Sequence, residues 1–259
     1  MELLALPAFA DNYIWMIHDG AEAIVVDPGE ASPVIRALEQ HGLTLVSILV
    51  THRHADHVGG IRELRPLLQG PIYGPDALAP EYVDHVVREG DTFSQLDLTI
   101  KVWETPGHTA EHISYICDVA LAQNDLTPIL FCGDTLFSAG CGRLFDGHPE
   151  WLLNTLKRLA QLPDQTKICC AHEYTLSNLA FAKAVEPGNS TLAEFHQHCL
   201  ELRGRNLPTL PTTLSIERQV NPFLRLNEPE IISSVKQHGD PHDDALAVLT
   251  ALRAWKNTF

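Results

Sequence analysis

The sequence predicts an α/β domain over residues 1–172, followed by a smaller all-helical domain over residues 173–259. In the first part, short apolar runs alternate with segments of helical spacing, whereas beyond His172 only helical spacing is found. The 259 residues are 45% hydrophobic and 20% charged, which is typical of globular proteins that bury a core. This composition excludes disordered, collagen-like and coiled-coil chains.

Turn and cap signals separate the predicted elements. Asp19-Gly20 predicts a hairpin between the first two strands, and Pro28-Gly29 ends the second one. Ser32 and Pro33 predict the start of the first helix. The predicted strands are residues 13–18, 22–27, 45–50, 96–102, 113–117, 129–132 and 167–171. The predicted helices are residues 32–41, 61–68, 151–162, 176–185, 192–203, 229–237 and 243–256.

The net charge and the cysteine content indicate which kinds of partner the protein binds and which cellular compartment it occupies. The chain has 33 acidic residues against 18 lysines and arginines, a formal net charge of -15, which disfavours nucleic-acid binding. No apolar run approaches the roughly 20 residues that span a bilayer, and the N-terminus lacks the basic start of a secretory signal. The six cysteines form no C-x-x-C pair. We therefore expect a cytoplasmic protein that binds neither membrane nor nucleic acid, and we expect a monomer.

The most specific motif follows the predicted strand at residues 45–50. His52, His54, Asp56 and His57 form an H-x-H-x-D-H sequence, in which the first two histidines project to the same side of an extended segment. Three more candidate ligands come at or near the ends of other strands: His108, Asp134 and His172. Imidazoles and carboxylates without thiolates suit Zn, Fe or Mn. The motif therefore predicts a site for divalent metal ions.

This set of residues resembles the metallo-β-lactamase superfamily, whose fold is an αββα sandwich of two sheets flanked by helices. The resemblance implies two divalent metal ions, most simply Zn, with Fe or Mn as alternatives. It implies that the first ion is held by His52, His54 and His108. It implies that the second is held by Asp56, His57 and His172, with Asp134 bridging both. Such a pair provides a hydroxide at neutral pH, which predicts a hydrolase.

The whole chain resembles the hydroxyacylglutathione hydrolases, the glyoxalase II family. The segments that carry this likeness include Gly140-Cys141-Gly142-Arg143, His172-Glu173-Tyr174 and Leu252-Arg253-Ala254-Trp255-Lys256. The resemblance implies that the glutathione moiety is contacted by Arg143, Tyr174, Asn178, Arg253 and Lys256. This peptide site departs from the family pattern at two positions, where Phe145 stands in place of a tyrosine and Asn257 in place of an aspartate.

The implied reaction is hydrolysis of S-D-lactoylglutathione, a 2-hydroxyacylglutathione, to D-lactate and glutathione, the second step of methylglyoxal detoxification. A hydroxide bound to the metal pair attacks the thioester carbonyl. Asp56 and Asp134 are the expected catalytic residues, because Asp56 orients that hydroxide and Asp134 bridges the ions.

Three other functions are considered. A glutathione persulfide dioxygenase of the same superfamily uses one iron, so Asp56, His57 and His172 would be unused. A lactonase or β-lactamase would lack the helical tail that carries Arg253 and Lys256. A non-enzymatic metal-binding or glutathione-binding module would bind metal without turnover.

The other histidines fall outside these motifs. His112 follows His108 by four residues and is expected to pack near the site without binding metal. The rest are expected at the surface: His18, His41, His85, His148, His196, His198, His238 and His242.

Overall fold

The computed structural model describes residues 1–122, 125–239 and 243–259. Contacts divide the chain into two compact units. Unit 1 comprises residues 1–105, 111–133 and 169–172, and unit 2 comprises residues 106–110, 134–168 and 173–259. The domain limits 1–172 and 173–259 stay a prediction.

Strands and helices follow one another in the order expected of an α/β chain with a helical end. The strands are β1 (Glu2–Ala8), β2 (Asn12–His18), β3 (Glu22–Val26), β4 (Thr44–Leu49), β5 (Ile72–Gly74), β6 (His85–Val86), β7 (Thr92–Gln95), β8 (Leu98–Glu104), β9 (Ile113–Ala122), β10 (Asp125–Gly133), β11 (Leu136–Phe137), β12 (Gly140–Cys141), β13 (Lys167–Cys170) and β14 (Thr212–Thr213). The α-helices are α1 (Ala31–His41), α2 (Ala55–Val58), α3 (Ile61–Leu64), α4 (Pro149–Leu159), α5 (Thr175–Val185), α6 (Ser190–Gly204), α7 (Leu214–Val220), α8 (Pro229–Gln237) and α9 (Ala245–Thr258).

Two sheets form the body of unit 1. The first has the order β1-β2-β3-β4-β5-β6, antiparallel from β1 to β3 and parallel from β3 to β6. Within unit 1, the second sheet has the order β13-β10-β9-β8-β7, and β7 to β10 pair antiparallel. In β13, Cys169 and Cys170 belong to unit 1, whereas Lys167 and Ile168 pair with β14 in unit 2.

The two sheets of unit 1 face each other across an apolar core. A small interior cavity is lined by side chains from both sheets: Ile17, Ile24, Val26 and Leu49 from the first, and Leu98, Ile100, Cys117 and Phe131 from the second. All seven residues of β2 are buried, because this strand is covered on both faces. Helix α1 packs its apolar stripe, including Val34 and Leu38, against the first sheet. The predicted sandwich is confirmed.

Unit 2 is mainly helical. Leu179 and Ala182 of α5 pack against Leu192 and Cys199 of α6 in a buried cluster that also includes Val220. Asp244 caps α9 by accepting hydrogen bonds from the backbone of residues 246 and 247, each at 3.1 Å. The described residues from 173 onward are mainly helical, as predicted, and they also contain the two-residue strand β14.

Several short elements were not predicted from the sequence. The helix expected over residues 61–68 ends at Leu64 and continues as a single 3₁₀ turn that contains Pro66. The sequence analysis also missed strands β1, β5, β6, β7, β11, β12 and β14 and helices α2 and α7. β1 contains Pro7, which weakens a strand signal, and β5 and β6 have only three and two residues. Among the described residues, no helix combines the length and apolar character needed to cross a bilayer.

Candidate metal centre

The loop that follows β4 carries two histidines of unit 1 whose rings meet. His52 is fully buried and His54 is half-buried. The His52 Nε2 and the His54 Nδ1 are 3.0 Å apart, and the rings meet edge to face with centroids 4.6 Å apart. Alternate residues of an extended segment project to the same side, which accounts for this convergence.

A second group in unit 1 joins Asp56 and His57 of α2 to His172, which follows β13. The Asp56 Oδ2 is 3.6 Å from the His57 Nε2 and 3.4 Å from the His172 Nε2. Each residue presents one ligand atom, and these atoms lie within 4.8 Å of one another. His57 and His172 are buried, whereas the Asp56 side chain is 41% exposed. Two imidazoles and a carboxylate form a donor set that divalent Zn, Fe and Mn accept.

Both imidazoles of this group are oriented by a second carboxylate. The His57 Nδ1 lies 3.0 Å from the Asp27 Oδ2, and the His172 Nδ1 lies 2.9 Å from the Asp11 Oδ1. Because an ionised carboxylate can only accept a hydrogen bond, each Nδ1 carries the hydrogen and each Nε2 keeps its lone pair. A hydrogen bond from the other ring nitrogen to a carboxylate is the usual arrangement around metal-binding histidines. The residues present therefore fit a metal ion.

His52 is oriented in the same way through a hydroxyl group. Thr51 donates hydrogen bonds to Asp27 from its backbone nitrogen and from its Oγ1, each at 2.7 Å. Since the Thr51 hydroxyl hydrogen is directed at Asp27, its oxygen accepts from the His52 Nδ1 at 3.0 Å. The His52 Nε2 is thereby also left with its lone pair.

Asp27 is the residue of this site that the sequence analysis missed. Its side chain is buried and accepts hydrogen bonds from Thr51 and His57, and its backbone adopts a φ of 52°. It also forms a ligand-like group with His52 and His57. The signal was present in the sequence, because Asp27 ends a predicted strand just as the other candidate ligands do. Asp11 was likewise not recognised as a partner of His172.

Three further residues of unit 1 lie against Asp56, His52 and Thr51. The Asn12 Nδ2 donates to the Asp56 Oδ2 at 3.1 Å. His112 is fully buried and stacks on His52 with ring centroids 4.9 Å apart, which agrees with its predicted packing role. Gly133 has a φ of 46°, and a Cβ at this position would lie 2.4 Å from the Thr51 Oγ1. Only glycine meets both constraints here.

Unit 2 contains two further predicted ligands, His108 and Asp134. The His108 Nε2 is 3.4 Å from the Asp134 Oδ2, and the His108 Nδ1 donates to the Arg143 carbonyl oxygen at 2.8 Å. Both side chains are buried. The carbonyl partner again leaves the lone pair on Nε2, so His108 is oriented like His52, His57 and His172.

Two of the predicted glutathione contacts bind the protein backbone. Asn178 is buried, and its Nδ2 donates to the Ser138 carbonyl at 3.0 Å. Arg253 is also buried, and its Nη1 donates to the Cys141 carbonyl at 2.8 Å. These hydrogen bonds give both side chains a structural role within unit 2.

The other three predicted contacts retain solvent access. Arg143 is exposed, and Tyr174 and Lys256 are half-buried. The Lys256 Nζ donates to the Ser177 carbonyl at 3.2 Å and lies 5.3 Å from the centre of the Phe181 ring. Burial, together with the nearby Arg253 guanidinium, lowers the pKa of the Lys256 ammonium. Lys256 therefore combines a packing contact with the Phe181 ring and an ammonium group.

Two side chains beside the histidine motif form an ion pair in unit 1. Arg53 Nη1 pairs with the Glu111 carboxylate, and the Arg53 backbone nitrogen also donates to Glu111 at 3.3 Å. This pair joins the H-x-H-x-D-H loop to the residue that precedes His112.

The remaining histidines are exposed or half-buried as predicted, with one exception among those described. His18 is only 4% exposed because it lies in β2, so its surface assignment was wrong. His242 lies outside the described residues.

Comparisons with known proteins assign the chain to a family. Residues 9–172 match the metallo-beta-lactamase superfamily, and residues 173–259 match the hydroxyacylglutathione hydrolase C-terminus. A hydroxyacylglutathione hydrolase of Albidiferax ferrireducens is 50% identical over 260 residues, covering 100% of both chains. The chain belongs to the hydroxyacylglutathione hydrolase family. A second member, from Cupriavidus taiwanensis, is 50% identical over 263 residues and covers 98% of this chain and 97% of its own.

A solved structure supports the same fold for this hydroxyacylglutathione hydrolase family member. The crystal structure of ETHE1 from Myxococcus xanthus superposes with a TM-score of 0.65 at 26% identity. The alignment covers 99% of this chain and 100% of that one. The metallo-β-lactamase-like sandwich inferred from the motifs is therefore confirmed.

Proposed function

We propose that the protein hydrolyses the thioester bond of 2-hydroxyacylglutathiones, with S-D-lactoylglutathione as substrate and D-lactate and glutathione as products. The observation that carries this proposal is the common orientation of four buried histidines. In His52, His57, His108 and His172, Nδ1 carries the hydrogen and faces an acceptor, so Nε2 is the unprotonated ring nitrogen, as metal binding requires. The match of residues 173–259 to the hydroxyacylglutathione hydrolase C-terminus and the 50% identity to a full-length hydroxyacylglutathione hydrolase support the choice of substrate.

The proposed binuclear centre uses the seven ligands that the family resemblance implies. His52, His54 and His108 would hold the first ion. Asp56, His57 and His172 would hold the second ion, and Asp134 would be a ligand of both. The absence of thiolates from this set is compatible with Zn, Fe or Mn, and we propose Zn. When bound, the ions supply Lewis acidity and lower the pKa of water by roughly nine units.

Asp56 orients the attacking water in this proposal. One of its oxygens accepts a hydrogen bond from Asn12 at 3.1 Å, which restricts rotation of the carboxylate. The carboxylate accepts a hydrogen bond from the water and directs its lone pair at the thioester carbonyl. The leaving group is a thiolate, and the ordinary pKa of the corresponding thiol is about 8.5, so the thiolate departs without a strong general acid. No serine or cysteine nucleophile is required.

Local cations attract the peptide part of the substrate. Glutathione carries two carboxylates and one ammonium group, whereas the protein has a formal net charge of -15. Favourable binding therefore needs positive groups close to the peptide, and Arg143 and Lys256 supply them. Arg253 and Asn178 support this region through the backbone of residues 138 and 141. Tyr174 supplies an aromatic surface and a hydroxyl group.

We also propose that the protein acts as a monomer in the cytoplasm. All six cysteines are buried and free, as is usual for proteins of a reducing compartment.

The test is thiol release from S-D-lactoylglutathione, measured beside S-D-lactoyl-N-acetylcysteamine, which keeps the thioester but lacks the peptide. Each substrate is assayed with and without a chelator. We expect rapid, chelator-sensitive release from the glutathione thioester and at least roughly tenfold slower release from the other. Equal rates would remove the glutathione assignment. Persulfide-dependent oxygen consumption without thioester hydrolysis would assign the protein to a different reaction.

Two variants separate the metal site from the peptide site. Asp134→Ala should lose metal and activity together, and full activity with two bound ions would contradict the ligand set. Lys256→Ala should raise KM while kcat stays near wild type, because Lys256 contacts the peptide and not the reacting bond. Lys183→Ala is the matched control, since it removes one exposed lysine from the same unit.

A further inference from the structure

A buried hairpin links Asp134 to Arg143 in unit 2. Strands β11 and β12 pair Leu136 with Cys141 and residue 137 with Gly140. Every residue from 134 to 142 is buried, including the turn. Buried backbone groups need hydrogen-bond partners, and a two-residue ladder satisfies few of them. Many of the remaining backbone groups therefore need partners from outside the ladder.

Helical side chains supply these partners. The Asn221 Nδ2 donates to the carbonyls of Phe137 at 3.1 Å and Gly140 at 2.9 Å. Asn178 and Arg253 bind the carbonyls of residues 138 and 141. The backbone nitrogen of Ala139 donates to the Glu217 Oε2 at 2.8 Å. The hairpin is thus held through its backbone by side chains from or beside α5, α7 and α9.

Glu217 is the central member of this network. Its carboxylate is fully buried, and the same Oε2 accepts from Ala139 and from the Asn221 Nδ2 at 2.9 Å. Ala139 has a φ of 54°, a conformation that costs free energy for a residue with a Cβ. Glu217 therefore stabilises the turn directly and also fixes the Asn221 amide that binds both sides of the hairpin.

The two ends of this segment act on His108 and Asp134. Asp134 lies two residues before β11 begins. At the other end, the Arg143 carbonyl accepts the His108 Nδ1 hydrogen at 2.8 Å. The Gly142 backbone nitrogen donates to the Thr135 carbonyl at 3.1 Å, which closes the segment on itself. A shift of the hairpin would therefore move Asp134 and the group that orients His108 together.

We propose that Glu217 is a positioning residue for the metal centre and that it acts through the hairpin on His108 and Asp134. This inference rests on the proposed function, because it takes these two residues as metal ligands. Glu217 itself touches neither the metal nor the substrate. Its buried carboxylate sets the position of the hairpin, and the hairpin sets the position of one histidine and one aspartate.

The experiment compares Glu217→Met, Glu217→Gln and Glu186→Met. Methionine keeps much of the volume but accepts no comparable hydrogen bond, whereas glutamine keeps an oxygen for Ala139 and Asn221. Glu186 is the matched control, because it is also a buried carboxylate of unit 2 and binds Arg225 and Asn189 instead of the hairpin. Metal affinity is measured by competition with a chelator, and bound metal by elemental analysis. The metal-free proteins are compared by thermal unfolding.

We expect Glu217→Met to bind metal roughly tenfold more weakly, in the range seen when outer partners of metal ligands are removed. Glu217→Gln should restore affinity to within about twofold, because it restores the hydrogen bonds. Glu186→Met should lower the unfolding temperature and leave metal affinity unchanged. Wild-type affinity in a folded Glu217→Met protein, or an equal loss in Glu186→Met, would overturn the inference.

Two further variants keep the outcome interpretable. If Glu217→Met does not fold, Glu217→Asp serves in its place, since it keeps the charge but shortens the reach to Ala139 and should also weaken metal binding. Unchanged affinity in a folded Glu217→Asp protein would then overturn the inference. His108→Ala tests the ligand assignment separately. If His108→Ala loses metal but the Glu217 variants bind it with wild-type affinity, only the positioning role is refuted. If His108→Ala still binds the full amount of metal, the proposed centre itself is refuted.

Discussion

Asp27→Asn should weaken metal binding without unfolding the protein. The Asp27 Oδ1 accepts from the Thr51 backbone nitrogen at 2.7 Å, so the asparagine oxygen will remain on that side. The amide nitrogen then takes the place of Oδ2, which lies 3.0 Å from the His57 Nδ1. An amide nitrogen can only donate, so His57 must move its hydrogen to Nε2 to accept this bond. The hydrogen then blocks the lone pair that the metal requires.

The size of the effect follows from the cost of restoring the other tautomer. To bind metal, His57 must again carry its hydrogen on Nδ1, which leaves two buried donors facing each other. An unsatisfied buried donor costs about 1–3 kcal/mol, which corresponds to roughly 5- to 150-fold in affinity. The affinity is measured with a chelator of known strength on metal-depleted protein. Circular dichroism establishes that the variant is folded.

Asp11→Asn provides an internal comparison. Asp11 binds the His172 Nδ1 at 2.9 Å, but its side chain is 42% exposed against 4% for Asp27. Water can therefore satisfy His172 when the carboxylate is lost, and we expect a smaller loss of affinity than in Asp27→Asn. A folded Asp27→Asn protein with wild-type affinity, or a larger loss in Asp11→Asn, would refute this reasoning.

Three other predictions concern stability and reactivity. Burial raises the pKa of the Glu217 carboxyl above its ordinary value of 4.5, so the folded state binds this proton more tightly than the unfolded state. The free energy of unfolding should therefore fall as the pH rises from 4.5 through the raised pKa. Glu217→Gln should flatten this part of the stability curve in urea titrations at several pH values, and an unchanged slope would contradict it. Burial raises the pKa of the Cys117 and Cys199 thiols to about 12, so an aromatic disulfide reagent should react slowly with native protein and rapidly with all six cysteines in denaturant. Phe181→Ala should cost about 3–5 kcal/mol in denaturant titrations because Phe181 is fully buried, whereas a loss below about 1 kcal/mol would contradict tight packing there.

The order of elements and the chemistry of the motif could be predicted from the sequence. Apolar periodicity identified half of the strands and most of the α-helices among the described residues, because it records which side of each longer element is buried. The H-x-H-x-D-H spacing identified candidate ligands since both alternate histidines of an extended loop face one side. Short elements such as β5 and β6 escaped, because two or three residues carry no measurable period. His18 was misplaced because a single polar residue at the end of a strand does not show whether that end is covered.

Tertiary structure decided which distant residues meet. The sequence identified His57 and His172 as candidates, but only folding placed the His172 Nε2 3.4 Å from the Asp56 Oδ2. Folding also added Asp27 and Asp11, which lie outside the metal-ligand motif and bind the rings of the predicted ligands His57 and His172. The proposed positioning role of Glu217 likewise depends on a hairpin that is distant from it in the sequence. Local sequence determines the type of group at each position, whereas long-range packing determines the direction of its lone pairs, and metal binding depends on both.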